Sequence, residues 1–282
     1  MVTTLVDSHL ECPMDNFRNF LRNWHQLYGR HDLPWRHTTD PYCILVSELM
    51  LQQTQVGRVI PKYEAFLKQF PTVDALSRAK LADVLIAWQG LGYNRRAKYL
   101  HQAAKLVTEN GGVFPTTQQE MQTLPGIGPY TAGAVAAFSF NQPVILIETN
   151  IRTVFLYHFF PNQSEVSDSE LLPLIEATLD LDNPREWYWA LMDYGSYLKS
   201  VLPNPTRRSK TYSKQSTFKG SKRQVRGEII RTLAQHPLLT KRELELAING
   251  KQEYLQPALT ALVAEGLVSE KSGTYSLDTT RS

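Results

Sequence analysis

The chain has 282 residues, 42% of them hydrophobic and 20% charged, enough for two domains or for a large domain with a small one. No apolar run reaches the length of a membrane span, and two cysteines, Cys12 and Cys43, exclude a disulfide framework and an all-cysteine metal site within the chain. The net charge is +3, the histidines show no zinc-ligand spacing, and Met1–Pro13 has acids but no basic stretch, so the expectation is a cytoplasmic protein without signal peptide or bound metal.

Helical periodicity runs through most of the chain. Helices are expected over Met14–Tyr28, Tyr42–Gln52, Gln55–Phe70, Thr72–Arg78, Lys80–Trp88, Arg95–Asn110, Thr117–Leu124, Pro129–Phe138, Asn150–Phe160, Asp168–Leu179 and Pro184–Lys199, most bounded by Gly, Pro or Asn. In the second of these, helical spacing places Leu45, Glu48, Leu49 and Gln52 on one face. A carboxyl on an apolar face tends to stay protonated, as a general acid must. Glu48 can equally be a surface residue, or a structural acid paired with Arg36. The amides Gln52, Gln53 and Gln55 follow, suited to base edges rather than phosphates.

Between two helical stretches stands Leu124-Pro-Gly-Ile-Gly-Pro-Tyr-Thr-Ala-Gly133. Pro125, Gly126 and Gly128 cannot all occupy a helix interior, whereas Pro129 suits a first helical turn. The pattern is helix, tight glycine hairpin, helix. Such a hairpin turns backbone N–H groups outward, where they can hold a phosphate. A plain helix connection with a glycine-rich turn is the alternative for these residues alone.

No acid lies between Asp193 and Glu228, an interval that holds Lys199, Arg207, Arg208, Lys210, Lys214, Lys219, Lys222, Arg223 and Arg226. A basic run is often solvated linker, but the lack of any compensating acid favours a segment that tracks phosphates. The end of the chain changes character. Arg223–His236, Lys241–Ile248 with Thr240 as cap, and Glu253–Gly266 read as helices, and Leu267–Leu277 alternates around Lys271-Ser-Gly273 as a hairpin does. Three helices and a hairpin make a winged-helix plan, although the third helix is mostly apolar. DNA contact and a packing or protein-contact role both stay open for this module.

The hairpin, the later Ile147-Glu-Thr-Asn-Ile-Arg-Thr-Val154, the stretches Leu33-Pro-Trp-Arg36 and Val46–Val56, Gly90-Leu-Gly-Tyr-Asn-Arg-Arg-Ala97 and Leu191-Met-Asp-Tyr-Gly195 together resemble the helix-hairpin-helix DNA glycosylases, in order and over roughly residues 14–200, and within them the adenine-specific MutY type. The resemblance implies an all-α, two-lobed fold with the small winged-helix-like domain appended. Residues 1–40 with 141–202 would form one lobe, 41–140 the helical-barrel lobe, 203–222 a basic linker and 223–282 the last domain. It implies that Glu48 protonates the adenine ring, Glu148 stabilises the sugar cation, Tyr130 bonds the catalytic carboxylate and Asn150 supports the water or the acid. Gln52, Gln53 and Tyr93 would enter the duplex beside the flipped base, and Gly126, Gly128, Arg36, Arg207, Arg208 and Lys210 would hold DNA. The partner implied is duplex DNA with a mispaired or damaged base, met by a monomer without membrane contact. The reaction implied is base excision, most readily of adenine opposite guanine or 8-oxoguanine. Thymine or uracil excision on the same scaffold, or damage binding with weak catalysis, are the alternatives.

Three departures from the family pattern stand out. The carboxylate of Ile147-Glu-Thr-Asn150 is a glutamate where the family usually has aspartate, one methylene longer. The four cysteines that commonly ligate an iron–sulfur cluster after the segment equivalent to Leu191–Gly195 are missing, so no cluster is expected, although the resemblance leaves room for a monovalent cation at the hairpin. The usual β-rich C-terminal domain is replaced by the winged-helix-like module. Tyr130 stands where lyase relatives carry a Schiff-base lysine, which implies a monofunctional enzyme.

Overall fold

A computed structural model describes residues 14–214 and 217–278; Cys12 and the N-terminal segment lie outside them. The helices are α1 (Met14–Tyr28), α2 (Pro41–Leu51), α3 (Val56–Gln69), α4 (Val73–Arg78), α5 (Leu81–Ala87), α6 (Arg95–Glu109), α7 (Gln118–Met121), α8 (Pro129–Phe140), α9 (Thr149–Phe159), α10 (Asp168–Thr178), α11 (Pro184–Val201), α12 (Lys222–Gln235), α13 (Lys241–Ala247) and α14 (Leu255–Ala264). Short 3-10 turns occupy Pro34–Arg36, Pro205–Arg208 and Gln252–Tyr254. Strands β1 (Leu239–Thr240), β2 (Val268–Lys271) and β3 (Thr274–Leu277) form an antiparallel sheet in the order β1-β3-β2. Among the described residues no helix is long and apolar enough to cross a membrane.

Two compact units result. The first holds the described residues up to Asp32 with Phe140–Ser213, the second Leu33–Ser139 with the described residues from Lys214 onward. The basic stretch expected as a linker is therefore divided, and its first part is structured. Val166 and Ser209 form a parallel bridge in which Val166 N–H donates to Arg208 and Lys210 N–H to Val166. The Arg208 guanidinium donates to the carbonyls of Leu156 at 2.9 Å, Phe160 and Pro161. Those carbonyls have no partner within a helix that ends at Phe159. Arg208, expected on DNA, is thus a C-terminal clamp on α9, while Arg207 and Lys210 are exposed beside it.

The first unit is built on α1, α9, α10 and α11. Phe17, Leu21 and Trp24 recur at helical spacing on the buried stripe of α1. Phe17 meets Phe155 and Trp187 edge-on with ring centroids 5.8 and 5.9 Å apart, each large ring contributing about 2–3 kcal/mol by burial. In the second unit, α2 and α8 are buried almost all round, which accounts for their continuous apolar sequences. Thr117 and Glu120 close a capping box on α7, and Asp40 caps α2 by accepting from Tyr42 N–H at 2.8 Å.

The C-terminal module is the expected three helices and hairpin, with two differences. Its third helix is preceded by a separate 3-10 turn, and the two residues of β1 add a strand. The buried residues of α14 are Leu255, Ala258, Leu259 and Leu262, so its apolar face is core. Ser272 and Gly273 both adopt positive φ (50° and 76°), as a two-residue hairpin turn requires.

Candidate active site

In the second unit, Glu48 is 7% exposed on α2, among the buried Leu45 and Leu49 of the expected face. Arg36 sits half-buried at the end of the 3-10 turn that buries Trp35. The chain after α2 is fixed by one buried guanidinium. Arg96 of α6 donates to the carbonyls of Leu49, Met50 (3.1 Å) and Gln52 (2.8 Å), and to those of Leu91 (3.1 Å) and Gly92 (2.9 Å). Burial lowers its pKa to about 10, which still leaves it a cation at neutral pH. A single side chain thereby ties the end of α2 to the Gly90–Tyr93 loop.

Both segments so tied contain strained residues. Gln53 and Tyr93 take the left-handed conformation at φ 54° and 47° without being glycine. Such strain persists only where surroundings over-determine it, and it gathers at working sites. The structure brings Gln52, Gln53, Tyr93 and Gly126 to one cleft of about 350 Å³, lined also by Leu49 and Tyr99. Gln52 Nε2 donates to Thr131 Oγ1 at 3.2 Å, which steadies its amide. Arg96→Met should leave these carbonyls without their donor, weakening the fold by about 3 kcal/mol in urea titration and loosening both strained residues.

The glycine hairpin has the expected form. Gly126 adopts φ 72°, and a Cβ there would come 2.3 Å from Tyr99 Cγ, so both backbone and space require glycine. Gly128 has open space around it, and its carbonyl accepts from Ala132 N–H at 2.9 Å. Gly126, Gly128 and Pro129 are exposed. That suits close approach of a phosphate to the backbone. Tyr130 is half-buried, second in α8.

In the first unit, Glu148 is the N-cap of α9. Its Oε1 accepts from the backbone N–H of Asn150 at 2.6 Å and of Ile151 at 3.0 Å, and Asn150 Nδ2 donates to Oε2 at 3.2 Å. The extra methylene is accommodated by folding the side chain back onto its own helix. Removal from water raises the carboxyl above the usual glutamate range, opposed by the Ile151 N–H, the Lys199 ammonium, the Asn150 N–H and the Arg152 guanidinium. Burial lowers the Lys199 pKa, with the Glu148 charge opposing the shift. Asn150 Oδ1 is buried and has no hydrogen-bond partner among the described residues, so an acceptor is left beside the carboxylate. Arg152 is held by two bonds to Asp168, at 2.7 and 2.6 Å.

Sequence reasoning missed three residues that build these sites. Arg96 lies on the buried stripe of α6 with Leu100, Ala103 and Val107, and a guanidinium on such a stripe was the available signal. Lys199 stands one turn beyond Gly195 on α11, although it reads as part of a basic run. Gly195 is where α11 meets α9 at backbone distance, since a Cβ there would lie 2.2 Å from the Asn150 carbonyl oxygen.

An iron–sulfur cluster does not fit the residues present. The segment beyond Gly195 carries Lys199, Pro203 and Arg208 but no cysteine, and Arg208 is committed to the end of α9.

A two-unit helical body with a glycine hairpin leading into α8, a buried acid on α2 and a carboxylate capping α9, one helix further on, is of the helix-hairpin-helix class. Comparison with known proteins agrees. Residues 46–173 match the HhH-GPD superfamily of base excision DNA repair proteins. An adenine DNA glycosylase of Mycolicibacterium smegmatis is 33% identical over 89% of this chain and 92% of its own length. One from Buchnera aphidicola (subspecies Baizongia pistaciae) is 38% identical over 64% of this chain, which spans about half (52%) of that relative. A solved thermostable thymine-DNA glycosylase shares the fold at a TM-score of 0.59, with 24% identity over 69% of this chain and 91% of its own. The chain belongs to the HhH-GPD superfamily, among the relatives of adenine DNA glycosylases.

Proposed function

We propose that this chain is a monofunctional DNA N-glycosylase that excises adenine mispaired with guanine or 8-oxoguanine. The observation that carries the proposal is the capped, partly desolvated Glu148 with Asn150 beside it. The adenine assignment is supported by the names of the curated relatives.

Releasing the base requires it to leave the stack, a proton to reach the base, and negative charge beside the sugar. Gln52, Gln53 and Tyr93 would fill the opened duplex, and the hairpin would hold a phosphate. Glu48 would donate a proton to a ring nitrogen of adenine as the glycosidic electron pair passes to the base. The ionised Glu148 would stabilise the oxocarbenium centre, and a water held by Asn150 Oδ1 would add to the sugar, giving up its proton to the Glu148 carboxylate, and leave an abasic site. Tyr130, lacking an amine, would form no Schiff base. Arg36, Arg207 and Lys210 remain in this reading as outer phosphate contacts. The enzyme would work as a monomer in the cytoplasm, on the nucleoid, without a cluster; a monovalent cation at the hairpin belongs to the same reading.

The test is single-turnover reaction on duplexes with adenine opposite 8-oxoguanine or guanine and with thymine or uracil opposite guanine. Each is assayed with and without alkali, and with borohydride. Expected are alkali-dependent cleavage at adenine and no borohydride-trapped adduct. Release of pyrimidine alone would replace adenine as the substrate, and a trapped adduct would contradict the monofunctional assignment.

A further inference from the structure

The C-terminal module forms one wall of the cleft that holds Gln52, Gln53 and Tyr93. Arg223, Arg226 and Gly227 of α12 line that cleft. The module is fastened there by Lys98 of α6, which donates to the Glu265 carbonyl at 2.6 Å, while the Glu265 carboxylate pairs with Arg226. Arg223 reaches furthest. Its Nη1 donates to the Tyr93 hydroxyl at 2.7 Å, and its Cζ lies 5.6 Å from the centre of the Tyr93 ring. Arg96 also lies 5.6 Å from that centre. Two guanidiniums, one locked in the barrel lobe and one brought by the module, therefore bear on the ring of a tyrosine that is 40% exposed and whose backbone is strained.

We infer that Arg223 is a positioning residue for Tyr93, through which the C-terminal module sets the pose of the side chain that enters the duplex at a mispair. This rests on the proposed function insofar as Tyr93 is the wedge. A guanidinium that bonds the phenol and faces the ring fixes both the rotation and the tilt of the side chain, which a phosphate-directed cation would not do. The module's apolar third helix fits this reading, because the module acts through α12.

The test is a double-mutant cycle on the full chain with Arg223→Ala, Tyr93→Phe and both together, plus Arg223→Lys. Thermal melting serves to exclude unfolded variants. Binding is measured to a mismatched and a fully paired duplex across a salt series, with 2-aminopurine beside the mispair reporting local unstacking. Expected is a fall of about tenfold in preference for the mismatched duplex, with a smaller 2-aminopurine signal, for each single variant. The double variant should be no worse than the single ones, and lysine should not rescue. Additive effects would overturn the inference. So would an equal loss on both duplexes that lysine restores and that lowers the salt slope by about one phosphate, the mark of a backbone contact. Tighter mismatch binding by Arg223→Ala would also overturn it, showing a latch over Tyr93. These readouts do not require base release: a wild type that prefers the mispair but frees no base defeats the excision reading and leaves this inference standing.

Discussion

Glu148→Gln is expected to lower base release by on the order of 1,000-fold or more in single-turnover assays, while duplex binding persists. Glutamine keeps a carbonyl oxygen to cap α9, so the N–H groups of Asn150 and Ile151 stay satisfied. What it removes is the negative charge. The same exchange has a pH signature in stability. The folded-state pKa of Glu148 is raised, chiefly by burial, so the native state binds more protons than the unfolded chain above the ordinary glutamate pKa of about 4.3. The wild type therefore loses stability as pH rises through that window, and the glutamine variant does not. Its melting temperature should exceed the wild type's at neutral pH and converge with it in acid. The wild-type rate, which needs the anion, should fall as pH drops through the raised pKa, above the range of an ordinary glutamate. Glu148→Asp should lower the rate by on the order of 100-fold, because retracting the carboxylate by about 1 Å removes it from the position set by Asn150. A higher rate for aspartate would show that the glutamate is a handicap.

Gly195→Ala is expected to be the most damaging single methyl in the first unit. The added Cβ would lie 2.2 Å from the Asn150 carbonyl oxygen and 2.7 and 2.8 Å from its carbonyl carbon and Cα, all backbone atoms that no rotamer change can move. Helices α11 and α9 must separate by on the order of 1 Å, and Glu148 is the N-cap of α9. The expected cost is about 1–3 kcal/mol of stability and on the order of 100-fold in rate, read by urea titration and single-turnover kinetics. The same exchange at Gly57, in α3 with nothing within 4 Å, should instead stabilise by about 0.5–1 kcal/mol. Equal behaviour at the two positions would mean that helix contact at Gly195 does not hold the carboxylate.

Much of this architecture is legible in the sequence, for identifiable reasons. The hairpin announces itself because Pro125, Gly126 and Pro129 each exclude most alternatives locally, and the φ and crowding at Gly126 agree. The helices are marked by caps such as Asp40, Thr117 and Thr240, whose hydrogen bonds act within a few residues. What the sequence conceals is decided by distant partners. Arg208 reads as one more cation in a basic run, and only the fold reveals the open carbonyls at the end of α9 that claim it. Strand β1 is two residues long and exists because β3 lies beside it. The role of Arg96 depends on carbonyls more than forty positions away at the end of α2. The extra methylene of Glu148 looks like a misplaced carboxylate in one dimension; in three it is a side chain folded onto its own helix.

The most direct measurement is chromatographic identification of the base released in a single turnover from a duplex carrying adenine opposite 8-oxoguanine, wild type against Glu148→Gln. The expected result is free adenine and an intact, alkali-labile strand from the wild type, with neither from the variant. Adenine released equally by both proteins, or no base released by the wild type from any mispaired duplex, would contradict the central claim that Glu148 carries a base-excision reaction.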